Sequence, residues 1–230
     1  MKTLKLTVVA ATLFSTTLLG TTVFAAEDEP VTPDEPAVVN KDVSRKAQFV
    51  LEPGSDDNGP VDPIVPIKPP TNQKGNLTID AVSNFDFGTK KIDKITSSYD
   101  AVLQEGEVLG AQVTDVRGTG AGWNLTAKIS AFENADKTRI LKGAEVTIPT
   151  GKVSTNSIDD SKPAVAQALT LNETAATVFS AAKESGMGTW ANEFEGLGGE
   201  DSKVQLKVPT GNYADTYTAE ITWSLADAPK

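Results

Sequence analysis

The sequence predicts an all-β protein, an antiparallel β-sandwich preceded by a signal peptide and a Pro-rich acidic segment. Short segments that alternate apolar and polar residues recur after residue 75, and Gly-rich turns separate them. No segment shows clear helical periodicity. The alternation is clearest at 123–131 and 217–225, where Trp, Leu, Ile and Ala share one face and Thr, Ser, Lys and Glu share the other.

Residues 1–25 have the pattern of a secretory signal peptide. Lys2 and Lys5 form a positive start, an apolar run diluted by Thr and Ser follows, and Val23 and Ala25 occupy the small-residue positions before a cleavage site. A membrane anchor is the alternative, but the run is shorter than the roughly 20 residues that a bilayer core requires. We therefore expect secretion, with no membrane insertion after cleavage.

The next segment, 26–46, is predicted to be disordered because it is acidic and contains Pro. Residues 47–230 are then the folded domain, with a Pro-rich surface loop at 53–75. A short alternation at 44–52 suggests a strand that belongs to this domain. The Ala-rich run 164–183 permits a helix, but its Thr and Val content favours two strands.

Composition excludes several classes of function. With no Cys and no His in the chain, disulfides, Ser-His-Asp chemistry and the usual zinc sites are absent. Cleavage after residue 25 leaves 19 of the 21 basic residues against all 31 acidic ones, a net charge of −12. Such a chain repels nucleic acid and anionic lipid, so neither is an expected partner. Binding to any acidic polymer would have to be specific or bridged by cations.

The remaining catalytic patterns are weak, and we expect no enzyme activity, cofactor or metal. Adjacent acids such as Asp159-Asp160 and Glu200-Asp201 point to opposite faces of a strand and cannot flank one glycosidic bond. Ser180 and Lys183 match an SxxK spacing, but that dyad requires a helix and its companion motifs are missing.

Four segments in a fixed order resemble the WxL domain of Gram-positive surface proteins. They are SNFDFG at 83–88, VTDVRGTGAGWNLTA at 113–127, GMGTW at 186–190 and YTAEITWSLADAP at 217–229. The two family signatures correspond to Trp123-Asn124-Leu125 and Trp223-Ser224-Leu225. The resemblance covers roughly 49–230.

This resemblance implies a non-catalytic protein that is secreted and held non-covalently at the cell wall by binding peptidoglycan. It also implies two protein partners, a membrane-anchored WxL-interacting protein and a larger WxL protein. The alternative is therefore an interaction subunit of a surface complex, in which contact with the wall is indirect. An adhesin role is a third alternative.

The two signature Trp residues admit two interpretations. Each shares its predicted face with a Leu two residues later, Leu125 or Leu225, which is typical of a core-facing strand. We therefore interpret Trp123 and Trp223 as structural, with a ligand-facing ring as the alternative.

Two other residues are candidates for an exposed binding surface. Trp190 lies in a Gly-flanked stretch, where it would either contact a ligand or close one end of the sandwich. Arg117 lies in a Gly-rich turn, where it would either meet an anion or pair with Asp115.

Overall fold

A computed structural model of the chain describes residues 43–158, 162–194 and 203–227. The chain divides into two units, 1–48 and 49–230. Of the first unit, residues 43–48 are described, and they are exposed and without regular structure. The predicted signal peptide, most of the predicted 26–46 segment, and the Asp159-Asp160 and Glu200-Asp201 pairs lie outside the described residues.

The second unit is all-β, as predicted, with twelve strands and no helix in its described residues. Strands β1 to β12 are, in order, Leu77–Val82, Ser97–Asp100, Gly110–Asp115, Trp123–Ile129, Glu145–Ile148, Lys152–Thr155, Val165–Ala166, Leu169–Leu171, Ala176–Ala181, Gly188–Glu193, Gln205–Val208 and Ile221–Ala226. No helix long and apolar enough to cross a membrane occurs within the described ranges.

The strands form three four-stranded sheets, and every pair within them is antiparallel. Their strand orders are β1-β3-β10-β6, β2-β11-β5-β8 and β12-β4-β9-β7. All three sheets contribute to one hydrophobic core, with Val113 from the first sheet, Val146 from the second and Trp123 from the third. Alternation explains this arrangement, because one face of each strand points into the shared interior.

The Pro-rich residues 53–75, which we call the Pro strap, lie across the sheet that contains β1 and β3. Ile64 N–H donates to Gln112 Oε1 at 2.7 Å, and Thr71 N–H donates to Asp80 O at 2.7 Å. Ile67 is fully buried against Ala81 and Ala191. The strap is therefore an anchored cover over one sheet face.

The structure tests two of the predictions of local secondary structure. The Ala-rich run 164–183 forms strands β7, β8 and β9, so the prediction of strands in place of a helix is confirmed, although there are three strands and two were predicted. The predicted strand at 44–52 is wrong, because Phe49 and Leu51 are each 84% exposed and pair with no strand in the described part of the chain. Its apolar stripe is only three residues long and Pro53 follows at once, so it buries too little surface to stabilise a strand.

Candidate functional site: an aromatic cleft

The two Trp-x-Leu motifs lie side by side on β4 and β12, in the same sheet. Leu125 pairs directly with Leu225, and Trp223 pairs with Ala127. Residues that are opposite each other in an antiparallel pair point to the same face, so both motifs face the interior. The two motifs are 100 residues apart in the sequence, but they form one structural unit in the fold.

Trp123 is fully buried within this unit. Its ring meets Phe179 edge to face with the centroids 4.9 Å apart, and its Nε1–H donates to Gly186 O at 2.9 Å. Gly186 has a φ of 68°, and a Cβ at that position would lie 2.7 Å from Trp123 Nε1. The indole and the turn at Gly186 therefore constrain each other.

Trp223 is only half-buried. Its ring stacks on Phe194 with the centroids 6.1 Å apart and an angle of 9° between the planes. The neighbouring Leu225 is also half-buried, whereas Leu125 is fully buried. The motif on β12 thus lies at the margin of the core, and the motif on β4 lies at its centre.

The exposed position considered for Trp190 is wrong, because its side chain is only 4% exposed. Residues 188–193 form strand β10, which pairs with β3 on one side and β6 on the other. Trp190 faces the core, and its Nε1–H donates to Met187 O at 2.9 Å. The flanking glycines suggested a loop, but pairing on both sides outweighed their low strand propensity.

Arg117 pairs with Asp115, which is the second of its two predicted roles. Its Nη2 donates to Asp115 Oδ2 and to Gly122 O, both at 2.8 Å, and the side chain is 13% exposed. The hydrogen bond to Asp115 raises the pKa of the guanidinium above its ordinary value. Nη1 also donates to Asp227 O at 3.3 Å. These bonds engage Arg117 in closing the Gly-rich turn against the end of β12, which is the structural one of its two predicted roles.

An open cleft of about 1060 Å³ lies among the described residues. Two connecting segments, 85–95 and 209–219, form its walls. Its floor is apolar and contains Ile129, Val146 and Leu206, which reach it from two of the three sheets. Six aromatic residues line this aromatic cleft, namely Phe85, Phe87, Tyr99, Phe132, Tyr213 and Tyr217.

Cations lie against two of the tyrosine rings. Lys90 Nζ is 5.6 Å from the centre of the Tyr99 ring, and Arg139 Cζ is 4.9 Å from the centre of the Tyr213 ring. Tyr213 is 71% exposed, so its ring is accessible to a ligand in spite of this contact. A flat ring held by a cation loses little conformational freedom when it binds.

Polar groups surround the aromatic rings at the rim. Asp93 Oδ2 accepts from Ser97 Oγ at 2.7 Å and from Tyr99 Oη at 3.2 Å. Asp215 pairs with Arg139 at 3.2 Å. A concave apolar surface with a few oriented polar groups is suited to binding.

Sequence reasoning missed this cleft. The segment GNYADTY at 211–217 combines turn residues with two tyrosines, which is a composition typical of recognition loops, and it was the available signal. The partner segment at 85–95 is distant in sequence, and pairing of β2 with β11 brings the two together.

An antiparallel β-domain with a buried aromatic core and an open aromatic cleft defines a binding module. Residues 16–229 match the model of the family described as WxL domain, surface cell wall-binding, and the chain therefore belongs to this family. The match extends beyond the range 49–230 that carried the sequence resemblance. As a member, the chain is a cell-surface protein with a wall-binding domain. Neither the curated proteins nor the solved structures contain a match to it.

Proposed function

We propose that this protein is attached to the cell wall by binding peptidoglycan in the aromatic cleft, without catalysis. The observation that carries this proposal is the set of six aromatic side chains around one open cavity. Family membership supports wall binding in general. The cleft supports the more specific proposal that the wall ligand binds at one defined site.

The chemistry of the glycan strand suits this surface. A sugar ring has an apolar C–H face that packs on an aromatic ring, and a hydroxyl edge that exchanges hydrogen bonds with polar groups at the rim. The exposed ring of Tyr213 offers the apolar contact, and the Asp93 carboxylate at the rim offers a hydrogen-bond acceptor. Lys90 and Lys91 line the same wall of the cleft, where they would meet carboxylates of the wall peptides.

Charge attraction does not explain wall binding for this chain, since its predicted secreted form has a net charge of −12. Anionic wall polymers repel such a protein at long range. Recognition of the glycan at short range by stacking is consistent with this charge.

The test is co-sedimentation of residues 26–230 with isolated walls and with polymer-stripped sacculi. We expect Tyr213→Ala to weaken binding to both by about tenfold, which corresponds to the loss of one aromatic contact. Phe49→Ala is the matched control, because Phe49 is 84% exposed and outside the cleft. If neither preparation retains the parent protein, the proposal fails, and equal losses in both variants would place the site elsewhere.

A second candidate function is that of an interaction subunit that binds a WxL-interacting protein or a larger WxL protein. Ile92 and Ile95, at the rim of the cleft, are 64% and 71% exposed, and exposed aliphatic pairs of this kind often mark protein interfaces. In that case the ectodomain of such a partner would capture the chain while bare walls would not. An Ile92→Ser/Ile95→Ser variant would then lose the partner and keep its fold.

A further inference from the structure

We propose that strand β12 pairs with β12 of a second copy of this chain, so that two molecules share one continuous eight-stranded sheet. The proposed interface is the open backbone edge of β12, which begins beside the aromatic cleft because Ile221 also lines the cleft. The proposal does not depend on what the cleft binds. It is based on a comparison of the sheet edges, on the direction of the β12 backbone groups and on the residue pattern of the strand.

Of the six strands at sheet edges in the described structure, β12 is the only one that is both long and unprotected. The Pro strap covers β1, through the bond from Thr71 to Asp80 O and a bridge between Pro70 and Ala81. Strands β7 and β8 have only two and three residues. Strands β2 and β6 have four residues each and contain charges, at Asp100 and Lys152.

Strand β12 has six residues, ITWSLA, without a charge or a proline. Natural proteins protect edge strands with short length, charge, proline or a covering segment, because an open edge is a template for another strand. The described residues give β12 none of these protections. An edge of this kind is therefore an expected site of strand addition.

The free backbone groups of β12 can be assigned from its pairing with β4. Ser130 N–H donates to Glu220 O at 2.9 Å, and residue 220 directly precedes the strand. Because hydrogen-bonding directions alternate along an antiparallel strand, the even-numbered residues face β4. The N–H and C=O groups of Ile221, Trp223 and Leu225 consequently point away from β4, towards the open edge.

The side chains show that the core is incomplete at this edge. Ile221, Trp223 and Leu225 lie on the core-facing side, but all three are only half-buried. Their counterparts on the adjacent strand, Leu125 and Ile129, are buried. A further strand beside β12 would cover the exposed parts of these three side chains.

The pattern of β12 identifies a second copy as the occupant. Apolar and hydroxyl residues alternate symmetrically about Trp223, so antiparallel self-pairing centred there sets Ile221 opposite Leu225 of the second copy and Thr222 opposite Ser224. Glu220 and Asp227 would face Ala226 and Ala219 of the second copy, so no like charges are opposed. The sequence of β12 is therefore compatible with antiparallel pairing to a second copy of itself.

Sedimentation equilibrium of residues 26–230 tests the proposal over a range of concentration. We expect a reversible dimer that strengthens with added salt, since each copy is acidic overall. Thr222→Lys/Ser224→Lys places lysines opposite lysines across the dimer, and Thr222→Glu/Ser224→Glu does the same with carboxylates. Each variant alone should dimerise about tenfold more weakly than the parent, and an equal mixture of the two should recover the dimer.

A cysteine pair provides a test that does not depend on affinity. The chain has no cysteine, so Thr222→Cys/Ser224→Cys introduces the only thiols. In the proposed register these positions form non-hydrogen-bonded pairs with Cα atoms about 4.5 Å apart, within disulfide range. Oxidation should give a covalent dimer on a non-reducing gel, whereas Ser98→Cys on β2 should not.

Circular dichroism and melting temperature establish that each variant is folded before it is interpreted. A parent protein that stays monomeric up to about millimolar concentration, where even weak association is visible, overturns the proposal. A dimer that neither charge variant weakens also overturns it, because the contact would then lie on another surface. Recovery in the mixed sample supports it.

Discussion

Trp123 and Trp223 occupy equivalent places in their two motifs but different environments. Trp123 is fully buried, with its Nε1–H bonded to Gly186 O. Trp223 is half-buried beside an open sheet edge and stacks on Phe194. Since the cost of truncation depends on the surface and contacts that are lost, the two residues should differ in their contribution to stability.

We expect Trp123→Ala to lower the free energy of unfolding by about 3–5 kcal/mol, because it leaves a large cavity and an unpaired carbonyl. Trp223→Ala should cost clearly less. Denaturant unfolding followed by circular dichroism measures both, with Phe49→Ala as an exposed aromatic control. Equal costs at the two Trp positions would contradict the difference in burial.

At this scale the sequence predicted which face each motif residue shares but not how deeply each is buried. Alternation along β4 and β12 correctly placed Leu125 with Trp123 and Leu225 with Trp223. How deeply a residue is buried depends on whether its strand is central in the sheet, and the sequence of a single strand does not show this. Trp190 was misjudged for a related reason, since its glycines suggested a loop while its neighbours β3 and β6 were unknown.

At the scale of elements, the Pro strap explains an unusual set of buried polar residues on the sheet beneath it. Asp80 is 2% exposed and accepts hydrogen bonds from Thr78, Thr114 and Gln112, at 2.7, 2.6 and 2.9 Å. Gln112 also bonds the strap itself, through Ile64 N and Asp62 O. The polar face is therefore satisfied partly by its own sheet and partly by the cover.

Burial raises the pKa of Asp80 above its ordinary value of 3.8, although its three hydrogen bonds lower it in part. A carboxyl group whose folded-state pKa is raised contributes stability below its unfolded pKa and loses that contribution as pH rises through the folded value. As pH rises from about 4 to 7, the parent should therefore lose unfolding free energy relative to Asp80→Asn.

Unfolding curves of the two proteins at several pH values measure this difference. The matched control is Asp136→Asn, because exposed Asp136 has a pKa lowered by hydrogen bonds from Thr138. Its contribution has the opposite sign, so it is present above the unfolded pKa and is lost as pH falls. If Asp80→Asn gave the same pH profile as Asp136→Asn, the buried environment of Asp80 would be refuted.

The strap was predicted as a Pro-rich surface loop, and its attachment to a sheet was not. Proline spacing predicts an extended chain without ladder bonds. Residues 53–75 instead make two bridges, from Ile67 to Val108 and from Pro70 to Ala81. The contacts that hold it come from Gln112 and Asp80, which follow later in the chain and look like ordinary polar strand residues in the sequence. A long-range side-chain contact leaves no local pattern.

At the scale of the whole molecule, the all-β class followed from alternation and turn composition, while the sheet order did not. Three four-stranded sheets join strands such as β2 and β11, which are about 100 residues apart. Strand order depends on the combined burial of all the faces, and many orders satisfy the same alternation. The strand order also brings the two walls of the aromatic cleft together. Because the order could not be predicted from the sequence, the cleft could not be predicted either.

Net charge is a further property of the whole molecule, and it predicts how wall binding depends on salt. At −12, the predicted secreted form is repelled by anionic wall polymers over a distance that shrinks as ions are added, to about 10 Å at 0.1 M. At low salt we therefore expect weaker binding to intact walls than to polymer-stripped sacculi. The difference should vanish at about 0.5 M salt, while binding to stripped sacculi stays unchanged.

Co-sedimentation across a salt series, with and without a chelator, measures this dependence. The chelator separates two explanations of attachment, because a bridge of divalent cations between acidic protein and acidic polymer would be lost on chelation. Stacking in the aromatic cleft, around Tyr213, would not be affected by it. Binding that falls with salt on both preparations, or that disappears with chelator, would show that charge holds the protein on the wall and that the cleft does not.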